Sequence, residues 1–133
     1  MADIRKKIYL IDDDDTQLTT AELFLKSEYE IFKATSGQEA LDYINNNRFM
    51  PDIIMLDIIM PNMDGWETLK KLKKIDFLKF VPIVFLTSVG EEIKQKEALK
   101  MGVADYIVKP YNMTELKSRV KDVIKKSEMR KPR

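Results

Sequence analysis

Asp52-Ile53-Ile54-Met55-Leu56-Asp57 is an almost wholly apolar run closed by a carboxylate. Such a run suits a central strand covered on both faces rather than a half-solvated one. Three more stretches share its form. Lys7-Ile8-Tyr9-Leu10-Ile11 is followed by Asp12 and Asp13, Val81-Pro82-Ile83-Val84-Phe85-Leu86 by Thr87, and Asp105-Tyr106-Ile107-Val108 by Lys109. A fifth run near 29–34 carries Glu30 and Lys33 and reads as an edge strand. Strands near 7–11, 29–34, 52–57, 81–86 and 105–108 alternate with amphipathic helices near 15–27, 37–47, 65–75, 91–101 and 113–127. A βα unit repeated in this way predicts an α/β domain on a parallel sheet.

The punctuation agrees. Ser36 with Glu39, and Asn112 with Glu115, have the spacing of an N-cap and its acidic partner. Gly102 follows the fourth helix, where a left-handed residue commonly ends a helix. Pro51 and Pro82 stand at strand beginnings, where a missing amide donor matters least. Met113, Leu116, Val120, Val123 and Ile124 share one face of the last helix, opposite lysines. No internal linker or second core is visible, so the expectation is one domain over 1–127 and a basic tail over 128–133 that frays.

The chain has 133 residues, 44% hydrophobic and 34% charged, the size of one ordinary domain. With 23 basic and 22 acidic residues its net charge is +1, which gives no electrostatic case for nucleic acid or a membrane surface. Cysteine and histidine are both absent, which excludes disulfides, thiolate metal sites, a cysteine nucleophile and any Ser–His–Asp arrangement. No stretch approaches the roughly 20 apolar residues of a membrane span, and the N-terminus lacks a signal peptide's apolar core. A soluble, cytoplasmic protein is expected.

In an open parallel sheet the carboxyl ends of the strands share one edge, where ligands bind. Asp12, Asp13, Asp57, Thr87 and Lys109 would meet there. Clustered carboxylates repel unless a cation compensates them. Hard oxygen donors without histidine or cysteine favour magnesium or manganese over zinc. The plainer alternative is that Asp12 to Asp15 form a solvated acidic turn capping the first helix. Asp57, Thr87 and Lys109, distant in sequence, weigh against it.

These residues resemble the receiver domains of two-component response regulators. The matching pieces are Asp12-Asp13-Asp14, the segment Leu56-Asp57-Ile58-Ile59-Met60-Pro61-Asn62-Met63-Asp64-Gly65, Leu86-Thr87-Ser88, and Asp105-Tyr106-Ile107-Val108-Lys109-Pro110-Tyr111, within a resemblance spanning 7–126. The resemblance implies a flavodoxin-like sheet in the order 2-1-3-4-5 and a cis Lys109–Pro110 bond. It implies that Asp57 accepts a phosphoryl group from a kinase phosphohistidine. Asp13, Asp57 and the Ile59 carbonyl would hold Mg2+ (or Mn2+), with Asp12 acting through water. Lys109 and Thr87 would contact the phosphoryl oxygens, and a Thr87–Tyr106 switch would be read on the face of helix four, strand five and helix five. The partners implied are a histidine kinase or phosphotransfer protein and a downstream protein target or output domain. Self-phosphorylation and self-dephosphorylation would be its whole catalysis, so it is not expected to be an enzyme. Ile59 and Val89 occupy positions that tune hydrolysis in the resembled family. Neither side chain can orient water, so the expectation is slow loss of the phosphoryl group.

Two rival readings differ in chemistry. Asp12-x-Asp14-x-Thr16 fits the opening motif of haloacid-dehalogenase-like phosphatases, with Asp12 as nucleophile and Thr87 or Ser88 and Lys109 as later groups. A late acidic pair and room for a cap domain are missing. The other rival is a non-phosphorylated receiver-like binding module. Lys70, Lys71, Lys73, Lys74 and Lys79 lack the interleaved aromatics of a nucleic-acid platform and read as a solvated face. Trp66 and the scattered methionines read as packing.

Overall fold

Residues 4–88 and 95–131 are described by a computed structural model. The strands are β1 (Lys7–Ile11), β2 (Glu30–Ala34), β3 (Ile53–Asp57), β4 (Ile83–Thr87) and β5 (Asp105–Val108). They form one parallel sheet in the order β2-β1-β3-β4-β5, with Glu30 and Lys33 on an edge strand as expected. The helices are α1 (Asp15–Leu25), α2 (Gly37–Asn47), α3 (Gly65–Lys73), α4 (Gln95–Lys100) and α5 (Met113–Arg130).

Strand periodicity divides the core in two. Ile8, Leu10, Ile53, Met55, Val84, Leu86 and Ile107 pack under α1 and α5. Tyr9, Ile11, Ile54, Leu56, Ile83, Phe85 and Tyr106 pack under α2, α3 and α4. β3 and β4 are buried at every position, which is why their sequences are apolar throughout. Each fully buried aliphatic side chain contributes about 1.5–3 kcal/mol relative to exposure.

The end signals act as the spacing predicts. Ser36 Oγ accepts the Glu39 amide at 3.0 Å and Asn112 Oδ1 the Glu115 amide at 2.7 Å. Glu39 reaches back to the Thr35 amide and hydroxyl, one residue before the cap. Gly102 has φ +93°, the left-handed geometry that ends α4. The Lys109–Pro110 bond is cis.

Two features differ from the sequence reading. A short 3-10 turn at Asp76–Leu78 precedes β4. α5 continues to Arg130 instead of fraying after 127, with Glu128 paired to Lys6 across the chain. The expected start of helix four, 91–94, and Val89 lie outside the described residues.

Arg119 of α5 clamps Asp105 at the start of β5, Nε to Oδ2 at 2.8 Å and Nη2 to Oδ1 at 2.6 Å, and Nη2 also reaches the Tyr106 carbonyl at 3.1 Å. Burial disfavours the Asp105 charge, but the Arg119 hydrogen bonds and the Tyr106 amide outweigh it and hold its pKa below the usual 3.8. A depressed carboxylate pKa stabilises the fold above the unfolded value, and that stability is lost as pH falls through the folded one. Arg119→Met should therefore cost about 1 kcal/mol at pH 7, allowing for partial exposure. In urea melts the deficit should shrink below about pH 4, the range the unfolded carboxyl value sets. An equal deficit at pH 7 and pH 3 would assign the loss to packing of the arginine stem instead.

Candidate functional site

Register assembles the site. Ile11 pairs with Leu56, so the next residues, Asp12 and Asp57, lie level at the carboxyl ends of adjacent strands. Asp12 continues the phase of Ile8 and Leu10, and Asp57 that of Ile53 and Met55. Both carboxylates therefore belong to the α1/α5 side, and both residues are buried, at 4% and 8% exposure. Asp13 is exposed, yet carboxylate oxygens of Asp12, Asp13 and Asp57 lie within 4.8 Å of one another.

The acidic run divides its work. The Asp12 amide donates to Ala34 O at 3.1 Å and its Oδ1 accepts the Asp14 amide at 3.0 Å, fixing the turn. Asp14 is the N-cap of α1, accepting the amides of Thr16 at 2.9 Å and Gln17 at 3.3 Å. Asp15 lies in the first turn, where the positive end of the helix favours it. The acidic-turn reading thus holds for Asp14 and Asp15, while Asp12 and Asp13 join Asp57.

Lys109 follows β5, the edge strand two places from β3. Its amide donates to Thr87 O at 2.6 Å, and its largely buried ammonium reaches Asp12 Oδ2 at 2.9 Å and Asp57 Oδ1 at 3.6 Å. One cation faces three carboxylates. Burial pushes the Asp57 carboxyl up, Lys109 pulls it down, and Asp12 and Asp13 push it up again, leaving it at about 6. A cluster of hard oxygens with excess negative charge fits a divalent cation.

The β3–α3 loop is packed from beneath. Ile58, Met60 and Met63 are buried in it, while Ile59 is 59% exposed. Asn62 sits at φ +69°, which asparagine tolerates better than most residues. The Gly65 amide donates to Ile58 O at 2.7 Å. A Cβ on Gly65 would lie 2.5 Å from Asp57 O and 2.6 Å from Ile58 Cα. Asp64 then caps α3 through the Glu67 amide at 2.9 Å. The sequence placed Gly65 in a motif without showing this close approach, which exists only once the loop has folded back.

Thr87 is 1% exposed and its hydroxyl donates to Ser88 O at 3.5 Å. Tyr106 is 2% exposed, edge-on to Phe85 with ring centroids 6.5 Å apart. Trp66 packs against the same Phe85 at 5.0 Å, as read from sequence. Thr87 and Tyr106 follow the α2/α3/α4 phase, opposite that of Asp12, Asp57 and Lys109. Tyr111 carried no assigned role in the sequence. Its hydroxyl oxygen is buried and, among the described residues, is the one such side-chain atom without a hydrogen-bond partner.

A doubly wound sheet with a carboxylate triad at its β1/β3 switch point, met by a lysine that follows β5, defines an α/β domain with an acidic site. Residues 8–121 match the family described as response regulator receiver domain, and the chain belongs to that family. It is 34% identical over 130 residues to the alkaline phosphatase synthesis transcriptional regulatory protein PhoP of Bacillus subtilis, covering 97% of this chain and 52% of that protein. It is 34% identical over 119 residues to the transcriptional regulatory protein CrdR of Helicobacter pylori, covering 89% and 54%. The chain thus spans about half the length of these curated relatives. The chemotaxis protein CheY4 of Vibrio cholerae superposes with a TM-score of 0.81 at 31% identity, over 90% of this chain and 98% of that one. The domain is a signalling phosphoacceptor rather than a catalytic enzyme, and the family implies a cognate histidine kinase. No helix among the described residues is long and apolar enough to cross a membrane.

Gly65→Ala should destabilise the domain by about 1–3 kcal/mol, because the loop has no room for a methyl group against β3. Urea denaturation measures this. Parent-like stability would show that the loop can open away from Asp57 without loss.

Proposed function

We propose that Asp57 is the phosphoacceptor of a Mg2+-dependent phosphorelay. The observation that carries this reading is the buried Asp57 carboxylate level with Asp12 and beside the Lys109 ammonium. An Asp57 carboxylate oxygen attacks the phosphorus of a kinase or phosphotransfer phosphohistidine. The P–O bond forms as the P–N bond breaks. The imidazole leaves with the electron pair and takes up a proton, and Asp57 becomes an acyl phosphate. Lys109 neutralises charge on the transferring oxygens, and the Thr87 hydroxyl donates to one of them. Asp13, Asp57 and the Ile59 carbonyl are the groups that would hold Mg2+ (or Mn2+), with Asp12 acting through water. Bound there, the cation supplies charge neutralisation at the phosphoryl oxygens.

The same reading places the protein in the cytoplasm and sends the signal to a downstream protein or output domain rather than to nucleic acid. The domain would end near 127. A Thr87 hydroxyl drawn toward the phosphoryl group would loosen the Tyr106 side of β4, and the α4–β5–α5 face would be read by the partner. The haloacid-dehalogenase-like reading requires Asp12 as nucleophile, but Asp12 already holds the Lys109 ammonium at 2.9 Å and the Asp14 amide.

Peptide mapping after incubation with acetyl phosphate should give one Mg2+-dependent adduct, at Asp57, absent from Asp57→Asn. An adduct at Asp12 would favour the phosphatase reading, and no adduct the binding module. The adduct should decay slowly, and Ile59→Asn with Val89→Glu should hasten its loss. An unchanged decay would remove the tuning role of these two positions. Tyr106→Ala should accept the phosphoryl group yet lose the change in hydrogen exchange over 95–127 that phosphorylation causes in the parent. A parent-like exchange response would take Tyr106 off the route.

A further inference from the structure

Tyr111 follows the cis Lys109–Pro110 bond, so the segment that aims the lysine at Asp12 and Asp57 also places this phenol. The ring is anchored. It lies edge-on to Phe24 of α1, with centroids 6.2 Å apart and planes at 70°, and packs on the α1/α5 core. Its oxygen is sealed from solvent and, among the described residues, has no hydrogen-bond partner. Buried hydroxyls nearly always have a partner, so an orphan of this kind needs an explanation. Burial raises the Tyr111 pKa first, and the charges of Asp12 and Asp57 raise it further, to about 12. The group is therefore a protonated donor across the physiological range, within the field of the two buried carboxylates. A cavity of about 400 Å3 adjoins it, lined by Gln17, Thr20, Ser88, Lys109, Pro110 and Tyr111.

We propose that Tyr111 is a positioning residue of the phosphorylated site, its hydroxyl finding among the phosphoryl oxygens of Asp57 and their hydration the acceptor that the unphosphorylated protein does not offer. The inference rests on the assignment of Asp57 as acceptor. A phosphoryl group adds strong acceptor oxygens and negative charge on the side from which Asp57 already acts on the phenol. Because the phenol has no partner beforehand, forming this bond breaks none within the protein. The hydroxyl thus favours the phosphorylated state without having stabilised the other.

Tyr111→Phe removes the donor and keeps the ring on Phe24. Beryllium fluoride with Mg2+, a stable mimic of a phosphoryl group on a carboxylate, probes the site without turnover. Calorimetric titration should show unchanged Mg2+ affinity, about fivefold weaker beryllium fluoride binding, and a melting temperature no lower than the parent's. Equal beryllium fluoride affinity in the two proteins would overturn the role of Tyr111 and leave the Asp57 assignment standing. Weaker Mg2+ binding or a lower melting temperature in Tyr111→Phe would overturn it in favour of a purely structural phenol. If the parent itself fails to bind beryllium fluoride, the Asp57 assignment falls and this inference with it.

Discussion

One ammonium set against three carboxylates is the constraint around which this domain is organised. Lys109 reaches Asp12 and Asp57 at 2.9 and 3.6 Å, yet Asp57 stays protonated to about pH 6 because burial and its two acidic neighbours outweigh that cation. Left alone, such a cluster works against folding, since each buried charge is costly unless fully paired. A domain that tolerates it must hold the carboxylates in place by forces that do not depend on their mutual balance. Here those forces are the apolar strands beneath them. Asp12 and Asp57 stand at the ends of two adjacent, almost fully buried runs. The charge deficit is then consistent with a site for a divalent cation.

The backbone supplies the rest of that rigidity. Asp12 is tied to Ala34 and Asp14, and Lys109 to Thr87. Gly65 lets the β3–α3 loop close against the Asp57 carbonyl, and the segments that follow β1, β3 and β5 lead into the capped helices α1, α3 and α5. Ile59, two residues after Asp57, is an exposed apolar side chain in this frame. Its side chain has no group that could orient a water by hydrogen bonding, which is the physical content of the slow-hydrolysis proposal.

Much of this was legible in the sequence because it is local. A strand of one phase ending in a carboxylate announces itself, and so does a cap followed by an acid three residues on. Four of the five strand starts agree to within a residue, and β4 begins two residues later because Val81 and Pro82 lead into the strand. The alternation of βα units does not give the order of strands. That expectation came from the family resemblance, and the pairing of β1 with both β2 and β3 bears it out. What stayed hidden is non-local. The 3-10 turn at Asp76–Leu78 is too short to have a period. The last turn of α5 is helped by Lys6, more than 120 residues away in sequence. The Gly65 contact and the orphan Tyr111 hydroxyl depend on surfaces that meet only after folding.

Strand phase also says where a signal must travel. Asp12, Asp57 and Lys109 belong to the α1/α5 side of the sheet, whereas Thr87 and Tyr106 belong to the α2/α3/α4 side. Chemistry at Asp57 therefore cannot reach Tyr106 along one packed face, because the sheet lies between them. The crossing point is the carboxyl edge, where Thr87 O accepts the Lys109 amide at 2.6 Å while the Thr87 side chain lies with Phe85 and Tyr106. A residue whose carbonyl holds the Lys109 amide and whose side chain belongs to the opposite core would couple the two faces under the proposed mechanism. Its burial at 1% means that it cannot shift without its neighbours shifting too. Tight packing would thereby make the proposed response to a phosphoryl group a choice between two arrangements rather than a graded drift.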